Sequence, residues 1–356
     1  MNKQTRKQFL KSFFYFLSAF ITSITGCGQK SKSTANIKQN GKIMAKIDAS
    51  FEPAYLKLHK QNELKKRGKE LWDIMQSCRL CPRECEANRI AGDEGFCGAS
   101  ALLEVSSYHP HFGEEDPLVG QGGSGTIFFT NCNLRCVFCI NWDISQEGKG
   151  DIVTIEQLAD MMLYLQKIGC HNINVVTPTH YSAHIVLALD IAAGKGLRLP
   201  LVYNTSGWER LEILKKLDGI VDIYLPDCKY SSSEMASKYS SGADSYPKVT
   251  RAALLEMNRQ VGVAKPASDG IMYRGLMIRH LVMPNNVSGT KEVMQWIGKN
   301  LPKDTYVNVM SQYRPMYKAN EYPEIARRLS REEYQAAVKW AQEAGLTNLD
   351  IQGIFF

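Results

Sequence analysis

Thr126-Ile127-Phe128-Phe129-Thr130-Asn131-Cys132-Asn133-Leu134-Arg135-Cys136-Val137-Phe138-Cys139 is the stretch on which the fold of this 356-residue chain turns. Its first four residues are β-branched or aromatic and read as a short strand buried on both faces. The strand runs straight into a loop with cysteines spaced three and then two residues apart. Three thiolates on one loop suffice for three irons of a [4Fe–4S] cube. The fourth iron then lacks a protein ligand, and an open position distinguishes a reactive centre from a closed structural one.

Beyond this stretch the pattern alternates strand and helix. Thr154-Ile155-Glu156-Gln157 is a capping box opening a helix whose Leu158, Met161, Met162 and Leu165 share a face. Strands are expected at Ile173–Val176, Leu199–Tyr203, Val221–Leu225, Leu276–Met283, Tyr306–Val309 and Leu349–Ile354. Helices are expected around His184–Ala193, Trp208–Leu217, Arg251–Gln260, Thr290–Leu301 and Ser330–Glu343, the last with a second capping box. Repeated βα units on apolar strands imply an α/β fold with a parallel sheet, either barrel-like or doubly wound, and periodicity alone does not choose. In both, ligands sit at the C-terminal ends of the strands. Gly120-x-Gly122-x-x-Gly125 matches a dinucleotide fingerprint in letters only. It precedes a strand instead of following one, so it reads as a turn.

Composition bounds the function. Hydrophobic content of 44% and charged content of 22% are those of a globular protein. The formal charge is +7, but four of the excess cations, Lys3, Arg6, Lys7 and Lys11, lie in an N-terminal leader, and no basic stripe interleaved with aromatics speaks for nucleic acid. Residues 13–21 are apolar but too few to span a bilayer. They end in Ile24-Thr25-Gly26-Cys27, which resembles a lipobox. The expectation is a lipoprotein signal peptide over 1–26, lipidation of Cys27 and membrane anchoring through a polar tether over 27–50. Thr5-Arg6-Lys7-Gln8-Phe9-Leu10-Lys11 resembles a twin-arginine export signal with Lys7 at the second arginine. The alternative is translation from Met44 and a cytoplasmic protein.

Seven of the ten cysteines fall in two tight groups, a spacing that favours metal over disulfides in a long chain. Cys78, Cys81, Cys85 and Cys97 supply four thiolates, enough for a closed [4Fe–4S] cluster or a tetrahedral zinc, and the two remain open. They lie in what reads as a small N-terminal module over 51–110, a helix with Leu64, Leu71 and Met75 followed by the cysteine loop, ahead of a main domain over 111–356. Cys170 and Cys228 read as core residues. His109 and His111, flanking Pro110, read as loop residues, with a place facing substrate or a metal as the alternative.

The C-x3-C-x2-C loop resembles the signature of the radical S-adenosylmethionine (SAM) superfamily. From about Cys78 to Phe356 the chain is similar to putative pyruvate formate-lyase activating proteins, relatives of the glycyl-radical activases. The similarity rests on Gly123-Ser124-Gly125 before the first strand, Asn141 to Gln146, Val176-Thr177-Pro178-Thr179-His180, Val202 to Gly207, Asp222 to Tyr230, Arg279 to Pro284 and Met310-Ser311-Gln312-Tyr313. It implies a partial (β/α)6-type barrel in which Cys132, Cys136 and Cys139 hold a cluster chelated by SAM, with Phe138 beside the adenine. It implies further SAM contacts from Thr177 and Thr179, where many members carry a Gly-Gly-Glu that is absent here, and from Asn204, Thr205, Ser206, Asp227, Lys229 and Arg279. The implied partners are SAM, a one-electron donor such as flavodoxin or ferredoxin, and a substrate, protein or small molecule, that the sequence leaves unknown and for which relatedness to activases suggests a glycyl-radical protein. The alternative from another class is a non-catalytic Cys-rich electron-transfer lipoprotein.

Overall fold

A computed structural model describes residues 51–353; the leader, Cys27 and the tether lie outside them. Nine strands form one sheet: β1 (Leu103–His111), β2 (Ser124–Phe129), β3 (Asp151–Val153), β4 (Ile173–Val176), β5 (Leu201–Thr205), β6 (Ile223–Pro226), β7 (Gly275–Leu281), β8 (Tyr306–Met310) and β9 (Asn348–Ile351). Their order is β3-β1-β2-β4-β5-β6-β7-β8-β9. From β2 to β9 neighbours run parallel, with Ile127 beside Val175, Val175 beside Tyr203, Tyr203 beside Tyr224 and Ile278 beside Val307. β5 and β8 are buried along their whole length, as strands covered on both faces must be.

This order never reverses. A doubly wound sheet has a switch point where the order turns back; here each parallel strand lies next to the one before it, so right-handed crossovers carry the helices to one face. The helices are α1 (Tyr55–Lys60), α2 (Glu63–Asp73), α3 (Asp116–Val119), α4 (Trp142–Ser145), α5 (Ile155–Lys167), α6 (Ser182–Gly194), α7 (Leu211–Leu217), α8 (Ser233–Tyr239), α9 (Tyr246–Val261), α10 (Thr290–Asn300) and α11 (Arg331–Glu343). Both expected capping boxes form, Thr154 with Gln157 on α5 and Ser330 with Glu333 on α11.

Residues 51–102 pack into the same compact unit as the sheet. α6 is apolar on nearly every side, which suits only a helix covered all round. α2 supplies the cover through Leu64, Gly68 and Leu71. A Cβ on Gly68 would stand 2.7 Å from Leu187 Cδ2, so the two helices meet at a glycine. Ahead of α1, the Ala54 amide donates to Asp222 at 2.9 Å, and the Tyr55 hydroxyl donates to the Leu199 carbonyl at 2.9 Å.

Two strands were not expected. β1 pairs antiparallel with β2, Tyr108 opposite Ile127 and His111 opposite Ser124, and β3 pairs antiparallel with β1. His109 and His111 are therefore strand residues, not loop residues, and 103–111 belongs to the sheet. The helix expected at Trp208–Leu217 begins only at Leu211. Gly125 lies inside β2, where a Cβ would come within 2.4 Å of the Asn172 carbonyl oxygen, so close packing, not phosphate binding, accounts for that glycine.

Candidate active site

The loop after β2 is held from several sides. The Val137 amide donates to the Tyr239 carbonyl at 3.0 Å, the Lys318 amide to the Val137 carbonyl at 2.9 Å and the Asn131 amide to the Ile144 carbonyl at 2.9 Å. Asn131 and Arg135 take positive φ values of 68° and 50°, which bend the loop so that its three cysteines face one cavity. Leu134, Cys136, Phe138, Trp208 and Tyr230 form an apolar cluster behind it. Cys136 Sγ is 3.1 Å from Ser240 Oγ, and Cys139 Sγ is 3.1 Å from Ser145 Oγ. Burial pushes the Cys136 thiol up to about 12 and raises that of Cys139.

The cavity measures about 430 Å³. It opens where the parallel strands end, and each strand from β4 to β8 contributes to its wall. Val176 and Thr177 come from the end of β4; Asn204, Thr205 and Ser206 from β5; Asp227 and Lys229 from just past β6; Arg279 and Leu281 from β7; and Met310 from β8. Arg279 organises the polar wall. Its Nε donates to Asp227 Oδ1 at 3.0 Å, its Nη2 to Asn204 Oδ1 at 2.6 Å, and its Nη1 lies 3.5 Å from Glu114 Oε2. Lys229 Nζ donates to the other Asp227 oxygen at 2.6 Å. Burial raises the Asp227 carboxyl, but Arg279 and Lys229 outweigh it and hold the group below its usual value, so Asp227 is an anion between two cations.

Phe138 packs edge-on to Tyr230 and Tyr313, with centroids 6.5 Å and 5.9 Å away. Thr177 has φ 58°, a conformation that β-branched residues rarely take and that marks a strained, over-determined position. Thr179 departs from expectation. Its hydroxyl donates to Glu209 Oε1 at 2.6 Å inside the protein, and it is absent from the cavity wall.

Sequence reading missed several residues here. Glu209 is fully buried and accepts hydrogen bonds from the hydroxyls of both Thr179 and Thr205. Burial pushes it up to about 7, against the pull of those hydroxyls. His111, on β1, lines the cavity, and burial, then the neighbouring His109, lowers its pKa. Glu114 closes the Arg279 network.

The second cysteine group abuts the first. Arg83 donates to the carbonyls of Asn133, Ser241 and Ser240, and Arg135 donates to that of Cys97 at 3.4 Å, so each cysteine loop grips the other's backbone. Cys78, Cys81 and Cys97 are buried and Cys85 is exposed. Burial pushes Cys81 up to about 12 and raises Cys97. Arg89 beside them is fully buried. Its guanidinium reaches the His180 carbonyl at 2.7 Å, the Ser100 carbonyl at 2.7 Å and 3.1 Å, and Cys78 Sγ at 3.9 Å. Cys170 and Cys228 are buried core residues. Among the described residues, no three Cys, His, Asp or Glu side chains stand together as ligands of a single ion do.

Residues 126–272 match the Radical SAM superfamily, across the three-cysteine loop and the strands from β2 to the end of the β6–β7 connection. The chain belongs to that superfamily and is a radical SAM enzyme, and membership implies a [4Fe–4S] cluster and SAM. It is 33% identical over 317 residues to the uncharacterized protein MJ0674 of Methanocaldococcus jannaschii, covering 86% of this chain and 87% of that one. It is 26% identical over 293 residues to the uncharacterized protein MJ0808 of the same organism, covering 74% and 80%. Among solved structures it is similar to a radical SAM methyltransferase from Sphaerobacter thermophilus, with TM-score 0.45 and 13% identity over 64% of this chain and 66% of that one. Methylornithine synthase gives TM-score 0.39 and 15% identity over 61% and 67%. None of these four is described as a glycyl-radical activase.

Proposed function

We propose that the chain cleaves SAM reductively at a [4Fe–4S] cluster held by Cys132, Cys136 and Cys139, and that the sheet is a partial barrel around that reaction. The observation that carries this is the composition of one wall: three thiols and no fourth cysteine on one side of a cavity, an ordered Asp–Lys–Arg network on the other. When bound, cluster and SAM together supply one-electron cleavage of the sulfonium, giving methionine and a 5′-deoxyadenosyl radical that takes a hydrogen atom from substrate. The donor set fits. Ser240 and Ser145 stand in hydrogen-bond reach of two of the sulfurs, and the buried Ser206 hydroxyl in the cavity wall has no partner within the protein.

The remaining roles belong to the chain. Lys229 meets the SAM carboxylate, while Asp227, anchored by Arg279, keeps Lys229 in place and offers a carboxylate to the SAM ammonium. Thr177, Asn204, Thr205 and Ser206 supply polar contacts from the strand ends. Phe138, Leu134 and Ile140 exclude water beside the adenine and the cluster. Cys78, Cys81, Cys85 and Cys97 hold a second metal centre. A buried Arg89 and a nearby Arg83 with no carboxylate in contact call for negative charge, which four thiolates provide.

Anaerobic reconstitution with iron and sulfide, followed by dithionite and SAM, is expected to yield about four or about eight irons per chain and 5′-deoxyadenosine. Cys136→Ala abolishes the nucleoside product and Cys170→Ala retains it. A fully loaded, reduced protein that releases no 5′-deoxyadenosine would favour the non-catalytic electron-transfer alternative.

A further inference from the structure

Beside the SAM cavity lies a second one, of about 820 Å³, and Arg279 belongs to the wall of both. No cysteine lines it. Its floor is Glu115 and Asn308, 5% and 3% exposed. Asn308 Nδ2 donates to Glu115 Oε1 at 2.9 Å, and since only the amide nitrogen can face a carboxylate, this bond fixes the amide's orientation. Glu115 Oε2 and Asn308 Oδ1 are both buried and both without a partner. A buried acceptor left unpaired is costly, and two acceptors side by side, one of them on a carboxylate, match a donor with several N–H groups and positive charge. The mouth is opposite in character. Arg314 and Arg328 line it, both are exposed, and neither has an ion-pair partner among the described residues.

We propose that this second cavity receives the substrate, and that the substrate is a small zwitterion of amino-acid type, its ammonium on Glu115 and Asn308 and its carboxylate on Arg314 and Arg328. The proposal rests on the SAM reading of the first cavity, which shares Arg279 with this one. It commits to a small molecule where the activase resemblance implies a protein.

The test is binding to the reconstituted enzyme saturated with SAM. The probes are β-alanine, 4-aminobutyrate and 6-aminohexanoate, with hexylamine and hexanoate carrying one end each. At least one ω-amino acid is expected to bind saturably without displacing SAM, at least tenfold more tightly than either single-ended probe. Glu115→Gln, which replaces an acceptor by an amide donor, and separately the exposed pair Arg314→Gln with Arg328→Gln are each expected to weaken it at least tenfold. The double variant at the mouth guards against misfolding of the buried one. Binding of hexylamine as tight as that of the amino acids, competition with SAM, or no saturable binding of any probe would overturn the proposal. Because binding is read apart from nucleoside release, an enzyme that cleaves SAM yet ignores every probe sinks the substrate reading alone. One that cleaves no SAM sinks the reading on which it stands.

Discussion

Glu209 shows how much of a site can hide from its letters. In sequence it is one acid at a helix-prone stretch; in the fold it is buried between Thr179 and Thr205, one of which lines the three-cysteine cavity. Its folded value of about 7 lies above its usual 4.5, so the folded state keeps a proton that the unfolded chain gives up. Stability from this group is therefore full at low pH and falls as pH rises from about 4.5 to about 7. The span corresponds to roughly 3 kcal/mol. Glu209→Gln is expected to remove that fall, so that urea melts of variant and parent diverge progressively across the window. Asp222, raised to about 6 by burial, contributes the same sign and persists in the variant. Parallel stability curves would show that Glu209 ionises normally. The cysteines were legible for the opposite reason. Their spacing is local, and a loop's ligand set is written in consecutive letters, whereas Glu209, Arg89, Glu115 and Asn308 acquire meaning only from what buries them.

At the scale of elements, the capping boxes were readable because each is completed within four residues. The Gln157 amide donates to Thr154 Oγ1 at 3.1 Å, and the Thr154 amide returns the bond to Gln157 Oε1 at 2.8 Å. Thr154→Ala is expected to lower stability by about 1 kcal/mol, seen as a lower denaturant midpoint at constant slope, with nucleoside release unchanged because α5 lies away from the cavity. A changed slope would mean that the helix end matters to compactness as well. β1 was not readable. Leu103-Glu104-Val105-Ser106 alternates for only four residues, after which Ser107-Tyr108-His109-Pro110-His111 loses the alternation and Pro110 lacks an amide, so the letters stop announcing a strand halfway along it. What makes it one is β2, whose Thr126 and Gly125 stand opposite His109 and Pro110. The consequence for the site is direct, since the strand, not a loop, sets His111 at the cavity wall beside Phe128, 5.8 Å between ring centroids.

For the whole molecule, periodicity left barrel-like and doubly wound sheets equal, because both use the same apolar strands and amphipathic helices. Strand order decides, and order is a property of non-local pairing. The helix through Leu64 and Leu71 was visible but its task was not: α6 is apolar all round because α2 covers it, a relation between segments more than a hundred residues apart. The same interlocking reaches the buried Arg89, tied to the His180 carbonyl after β4. With metal on the second cysteine group, as proposed above, it would give the protein an order of maturation. A guanidinium sealed in with carbonyls and thiols is balanced only when the neighbouring sulfurs ionise, and sulfurs in a core ionise when metal takes them. If the second cysteine group holds metal as proposed, closing the 78–102 loop and loading it would be a single event, and Arg79, Arg83 and Arg89 would stay open to trypsin until it happens. Protein made under iron and zinc starvation is expected to be nicked there by trypsin, while loaded protein resists and the sheet survives in both. Equal resistance of the two would show that Arg89 needs no counter-charge.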